Sequence, residues 1–266
     1  MKPFLIVVLL FCFCPFPVFA DHFSVPSKKI RSPCKINYPS DKRIKWECKS
    51  LKKGDSLVTL YGAKWKDVAR FNRIDRRHAY AGMSLKIPNN LLEIENFSPM
   101  PEKNPISEGE EKLILIDLSE QFLAAYRFGD RIFSFPIASG QKSKDYETPT
   151  GEFRVTMLHR EHQSSLFTIE ETKIPYPMNY ALRFFISKKG ISYWIHGRDL
   201  PGFPASHGCV GLYDEAMQRV IYGSPPDPQL DDARELFKWV LGNLPESGNE
   251  IPVINGPKVL IIGRTP

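Results

Sequence analysis

The chain has 266 residues and a formal net charge of +6; 42% of it is hydrophobic and 12% aromatic. That composition excludes a disordered chain, and the length allows one large domain plus a small one. A modest positive excess without a Lys/Arg-rich run argues against a nucleic-acid partner and suits an anionic extracellular polymer.

Residues 1–20, MKPFLIVVLLFCFCPFPVFA, read as a signal peptide: a positive start at Lys2, an apolar run, and a small-residue cleavage site ending at Ala20. The run is too short for a membrane anchor, which needs about 20 residues. The mature chain is therefore expected to start near Asp21 and to work outside the cytoplasm, with no stable membrane insertion. Cys12 and Cys14 leave with the signal, so Cys34, Cys48 and Cys209 remain. An odd count in an oxidising compartment leaves one thiol free or pairs it between chains. Cys34 and Cys48 are close in sequence, and a bridge between them contributes about 3 kcal/mol in the chain-entropy account. Spacing alone does not decide that pairing. If it forms, Cys209 is the odd one out.

Residues 21–44 are basic and Pro-bearing and read as a leader tied down by Cys34. Residues 45–89 follow as a compact unit. Trp46 and Cys48 alternate with charged neighbours as in a strand, and Asp55 and Ser56 are helix-start signals. Leu57, Leu60 and Tyr61 make one helical stripe, and Trp65, Val68, Ala69 and Asn72 make a second. MSLKIP closes the unit as a strand, giving the order strand, helix, helix, strand.

Residues 90–111, with three prolines and an acidic end, read as a linker. Strand-length runs then dominate: KLILID, QFLAAYRF, RIFSFPIAS, GEFRVTML, LRFFIS and ISYWIHG, with a hairpin turn at Phe128–Arg131. Helical patterns appear at YDEAMQRVIYG and DPQLDDARELFKWVLG, and PKVLIIG ends the chain as a strand. The expected class is α+β: a small βααβ domain, then a β-rich domain with a few helices near its C-terminal side.

The chemistry concentrates in HGRDLPGFPASHGCVGL, residues 196–212. A cysteine is a nucleophile as thiolate, and an imidazole or a helix start can lower its pKa. His207 is adjacent in sequence, while His196 ends an apolar strand pattern and is placed to meet the thiol in space. Glycines around Cys209 let backbone N–H groups approach a substrate carbonyl and form an oxyanion hole. Residues alone leave a Cys/His pair and an inert buried thiol both open. His159 and His162, in HREHQ, lack the companions of a zinc site and read as a solvated loop; no metal or cofactor is expected.

Residues 45–89 resemble a LysM domain through KKGDSL, VARFNRI and AGMSLKIP. The resemblance implies binding of N-acetylglucosamine-containing glycan, with peptidoglycan as partner. The stretch HGRDLPGFPASHGCVGL resembles the L,D-transpeptidase signature of the YkuD type: a His-Gly, a loop, then Ser/Thr-His-Gly-Cys. IASGQKSKDYETPTGEFRV and MNYALRF resemble two further family segments in the same order. The catalytic domain is taken as 112–222, with 223–266 a helix and strand extension packing on it.

That resemblance implies an acyl-enzyme reaction on peptidoglycan stem peptides. Cys209 matches the nucleophile and His196 the general base, with the Gly197 carbonyl orienting the imidazole. Ser206, His207 and Gly208 shape the substrate site, and Tyr180 and Arg198 are further substrate-binding candidates. One position departs from the pattern: the family's arginine two residues after the cysteine is here Gly211, and Arg198 and Arg183 are the nearby candidates to replace it. Rival readings are a carboxypeptidase or cross-link-cleaving peptidase using the same residues, and an inactive wall-binding scaffold.

Overall fold

The structure is a computed structural model that describes residues 32–143, 145–169, 172–244 and 248–266. The segment read as a signal peptide, and residues 21–31 of the leader, lie outside the described residues. Among the described residues no helix is long and apolar enough to cross a membrane.

Residues 45–89 begin with strand β1 (Trp46–Ser50), followed by helices α1 (Leu57–Tyr61) and α2 (Trp65–Asn72) and strand β2 (Ser84–Pro88). β1 and β2 pair antiparallel, with Cys48 opposite Lys86. The Ser56 hydroxyl accepts the Thr59 N–H and caps α1. α2 buries Trp65, Val68, Ala69 and Phe71 and stops at Arg73, which takes a left-handed φ of 52°. The Cys34–Cys48 disulfide ties the leader to β1.

The larger domain is two five-stranded sheets. The first holds β3 (Leu113–Asp117), β4 (Phe122–Arg127), β5 (Asp130–Pro136) and β6 (Gly151–Arg154). The second holds β7 (Met157–Thr168), β8 (Pro175–Ile186), β9 (Ser192–Arg198) and β10 (Val210–Tyr213). Helices α3 (Glu215–Tyr222) and α4 (Asp232–Leu241) follow, then strands β11 (Glu250–Pro252) and β12 (Lys258–Ile262). The strand orders are β5-β4-β3-β12-β6 and β10-β9-β8-β7-β11. Ile116, Leu123, Leu182, Ile195 and Val259 form the core between the sheets, with Leu236 and Phe237 of α4. The fold is α+β, rich in strands with few helices.

Three features differ from the sequence reading. The C-terminal segment is not an extension laid on a finished domain, because β12 sits between β3 and β6 inside the first sheet. Residues 90–111 are an anchored connection: Ile94, Met100 and Asn104 are buried, and the Phe97 ring bridges Phe71 and Phe122 at 5.2 and 5.8 Å. The aperiodic spacing of these apolar residues hides their role as filler. HREHQ belongs to the long strand β7, where His159 is mostly buried and the His162 ring lies 4.3 Å from that of Trp194. Its run of charged and polar residues masks strand periodicity.

The βααβ unit is also fused to the larger domain. Val68, Phe71 and Leu85 share one hydrophobic cluster with Ala138, Leu200, Tyr213 and Leu230. Ion pairs reinforce the joint: Arg70 binds Asp232 bidentately at 3.0 and 2.6 Å, and Arg76 binds Glu215 at 2.8 and 2.6 Å. The described residues form one compact unit.

Candidate active site

β9 carries His196, Gly197 and Arg198, and β10 begins one residue after Cys209. The two strands pair in parallel, with Gly211 opposite His196. Side chains alternate along a strand. Ile195, Val210 and Leu212 face the core, which turns Trp194, His196 and Cys209 to the opposite face.

Cys209 is free and half-buried, packed against Met178, Ala181 and Trp194. Burial pushes its thiol up to about 11, while the Trp194 backbone amide and the Arg198 guanidinium pull the other way. His196 is buried, with Nδ1 2.7 Å from the Gly197 carbonyl oxygen. A carbonyl oxygen only accepts, so Nδ1 carries the proton and Nε2 keeps its lone pair. Burial first, and then Arg198, push the imidazole down to about 3. At neutral pH the pair is a neutral thiol and a neutral imidazole, so burial outweighs the lowering of the thiol pKa that a neighbouring imidazole can produce.

The signature residues form the adjoining wall. The Ser139 carbonyl accepts the N–H groups of Ala205 and Ser206, at 3.1 and 3.0 Å, and the buried Ser206 accepts the Gln141 N–H through its own carbonyl at 2.9 Å. The Thr148 hydroxyl accepts the Gly140 N–H at 2.9 Å, so IASGQ and TPTG are drawn onto the cysteine loop. His207 is stacked on Phe167 of β7 at 4.0 Å and meets the Tyr146 ring edge-on at 4.4 Å. At Gly208, φ is 117°, and a Cβ there would lie 2.6 Å from the Tyr193 ring.

Tyr180 is not brought to this group. Its left-handed φ of 54° interrupts the alternation of β8, so Met178 joins Ala181 in the cluster against which Cys209 packs, while the Tyr180 ring lies against Phe237 of α4 on the core side with Leu182 and Phe184. It lines a cavity of about 300 Å³ together with His162, Arg160, Gln163 and Asn179. Two residues that sequence reasoning missed join the site: Trp194, which lies against Cys209, and His162, which burial first and then His159 push down to about 4. The apolar alternation of ISYWIHG carried the signal for Trp194, since every second residue up to His196 shares its face.

The chain between His196 and Cys209 is held by the turn after α2. The buried Asp75 carboxylate accepts the Leu200 N–H at 2.7 Å and the Gln218 side-chain amide at 2.7 Å, and the Asp75 N–H donates to the Leu200 carbonyl at 2.8 Å. Its other oxygen accepts His78 from both Nδ1 and the backbone N–H at 2.8 Å. The Tyr38 hydroxyl donates to the Gly202 carbonyl, and a Cβ at Gly202 would strike Pro33 at 2.5 Å. Asp75→Ala strands two buried donors, at about 1–3 kcal/mol each. It is expected to lower the melting temperature and to slow any Cys209-dependent reaction about ten- to hundredfold through misplacement of the loop. A folded Asp75→Ala protein of unchanged activity would refute this clamp.

The YkuD family, described as an L,D-transpeptidase catalytic domain, matches residues 111–261, more than half of the chain. The chain belongs to that family. The YkuD match runs through β12, in keeping with the central place of that strand in the first sheet. No curated protein matches the chain in sequence. Among solved structures, an L,D-transpeptidase from Stackebrandtia nassauensis is 17% identical over 77% of this chain and 69% of its own, with a TM-score of 0.41. One from Xylanimonas cellulosilytica is 20% identical over 80% of this chain and 98% of its own, with a TM-score of 0.44. L,D-transpeptidase 1 of Mycobacterium tuberculosis is 16% identical over 57% of this chain and 62% of its own, with a TM-score of 0.37. Membership rests on the YkuD match, because these structural likenesses are too distant to add to it. The match does not include residues 45–89.

Proposed function

We propose that this protein is an exported peptidoglycan L,D-transpeptidase with Cys209 as nucleophile and His196 as base. The observation that carries the reading is the buried His196 imidazole, with its Nδ1 proton committed to the Gly197 carbonyl and Nε2 left unprotonated on the face shared with Cys209.

His196 Nε2 takes the thiol proton as Sγ attacks the carbonyl between meso-diaminopimelate and D-alanine of a tetrapeptide stem. Backbone N–H groups around Gly208 and Cys209 receive the developing oxyanion. The tetrahedral centre collapses, the C–N bond breaks, and D-alanine leaves with the proton returned by His196. A thioester remains. An acceptor amine then attacks it, His196 takes the amine proton, and the C–S bond breaks to regenerate the thiol. Generating the thiolate only as it attacks suits a cysteine whose resting state is protonated.

In this reading residues 45–89 bind the glycan of the same polymer. The sequence motifs support it, as do the solvent-facing Val58 and Leu60 on α1. Because this unit is fused to the catalytic domain, glycan and peptide must arrive at a fixed spacing for both to be engaged at once. Export is supported by the apolar N-terminal segment and by the Cys34–Cys48 disulfide.

Incubating residues 21–266 with purified tetrapeptide muropeptides and reading products by mass spectrometry tests the reaction. Loss of D-alanine with new dimers is the expected result. Loss without dimers identifies a carboxypeptidase, and shortening of pre-formed dimers a cross-link-cleaving peptidase. No change, with retained binding to intact sacculi, leaves a wall-binding scaffold.

A further inference from the structure

Gly211 has no room for a side chain while Arg198 is in place. A Cβ there would lie 2.1 Å from both Cγ and Cδ of Arg198. The requirement is steric, since Gly211 does not adopt a left-handed backbone. Arg198 stands opposite Tyr213, two residues beyond the His196–Gly211 pair. A stem folded back across Gly211 therefore carries the guanidinium toward His196 and Cys209. Its charge is felt there, because Arg198 disfavours the protonated forms of His196 and His207 and favours the Cys209 thiolate.

Several arginines of the described residues are answered by carboxylates: Arg70 by Asp232, Arg73 by Asp41, Arg76 by Glu215, Arg77 by Asp199 and Arg154 by Glu110. Arg198 has no ion pair among the described residues, and its buried Nε has no hydrogen-bond partner. The adjacent Asp199 is engaged elsewhere, by Arg77, Gln218 and Tyr222. A half-buried planar cation without a carboxylate partner, its stem laid across Gly211, can take a carboxylate in two parallel hydrogen bonds through its terminal nitrogens.

We propose that Arg198 is the specificity-determining residue of this site: it binds a free carboxylate of the acyl donor from strand β9, and Gly211 is glycine so that the Arg198 stem can cross it. This rests on the acyl-transfer reading above. Such a donor has two free carboxylates near the scissile bond, the C-terminal one and the side-chain one of diaminopimelate, and the test separates them.

Wild type, Arg198→Gln, Gly211→Ala and the exchanged double variant Arg198→Gly with Gly211→Arg are assayed for kcat/KM on three peptides. These are the tetrapeptide stem, its C-terminal amide, and the stem with lysine in place of diaminopimelate. Arg198→Gln is expected to lose about 10- to 100-fold on the tetrapeptide, the scale of a lost charged hydrogen-bond pair. That loss should shrink to less than about threefold on whichever analogue lacks the bound carboxylate. Gly211→Ala, which displaces the stem, should reproduce the loss, and the double variant, which returns a guanidinium from β10, should recover part of it. An equal loss on all three peptides overturns the proposal, as does an unimpaired Gly211→Ala. Wild type that turns over none of the peptides overturns the acyl-transfer reading itself.

Discussion

Cys209→Ala is expected to abolish acyl transfer, with a fall of at least about a thousandfold in kcat and no shift in melting temperature beyond that of losing one half-buried sulfur. The size follows from the chemistry: without Sγ no thioester forms, and the remaining groups can only polarise the carbonyl. Intact-mass spectrometry of wild type caught in mid-reaction should show the acyl adduct, and a digest should place it on Cys209. An adduct on any other residue, or residual turnover above a hundredth of wild type in Cys209→Ala, would remove Cys209 from the mechanism.

The pH dependence of the same reaction has a defined sign. His196 is pushed down to about 3, so a mechanism that uses it as base keeps that base available at any pH well above 3. Then kcat/KM should hold level from pH 7.5 down to about pH 5, where an ordinary histidine base near 6.5 would already have cost most of the activity. Alkylation by iodoacetamide in the absence of substrate should be slow at pH 7 and climb toward pH 11, because burial holds Cys209 protonated. Asp214, raised to about 6 by burial, titrates inside the same window and presses on Gly197, where a Cβ would lie 2.5 Å from its Oδ2. The Asp214→Asn variant removes that titration and so separates it from that of His196. An acid limb centred near 6.5 in both proteins would exclude His196 in its observed environment as the base.

Arg73→Ala is expected to cost about 3–5 kcal/mol, the range for removing one partner of a buried ion pair. Arg73 has no exposed side-chain surface and ends α2 in a left-handed turn. Its guanidinium pairs with Asp41 at 3.2 Å and with Glu120 at 3.6 Å, and Nε donates to the Glu120 carbonyl at 3.2 Å. It lies 4.0 Å from the centre of the Tyr38 ring and 5.0 Å from that of Phe122. One side chain thus joins the leader, the βααβ unit and β4. Its removal leaves Glu120 without its nearest cation and Asp41 with only Lys86. Urea unfolding measures the loss, which would consume a large share of a typical stability of about 5–15 kcal/mol. A change below about 1 kcal/mol would mean that the Arg73 ion pairs add little to the apolar packing and the other ion pairs at the joint.

The local elements were legible in the sequence because each announces itself within a few residues. Ser56 caps the helix it precedes, the stripe Trp65, Val68, Ala69 is buried as its spacing requires, and the apolar runs became strands. The Cys34–Cys48 pairing was arguable from proximity, and His196, Gly197 and Cys209 stood in a motif whose chemistry depends on those residue types. What the sequence could not carry was everything that depends on which distant segments meet. The salt bridges of Arg70, Arg73 and Arg76 join residues far apart in the chain, so a unit that reads as a separate module is welded to its neighbour. Tyr180 looked like a site residue, but its ring packs on the core side with Leu182 and Phe184, against Phe237 of α4. The direction of the Cys209 and His196 shifts depends on burial, which only the packed sheets determine. Gly211 and Arg198 make the same point at closest range. In sequence they are a missing arginine and an unrelated one; in the parallel pairing of β9 and β10 the second lies across the first. Short-range propensities and motifs are written residue by residue, whereas register, burial and the pairing of charges are properties of the assembled chain.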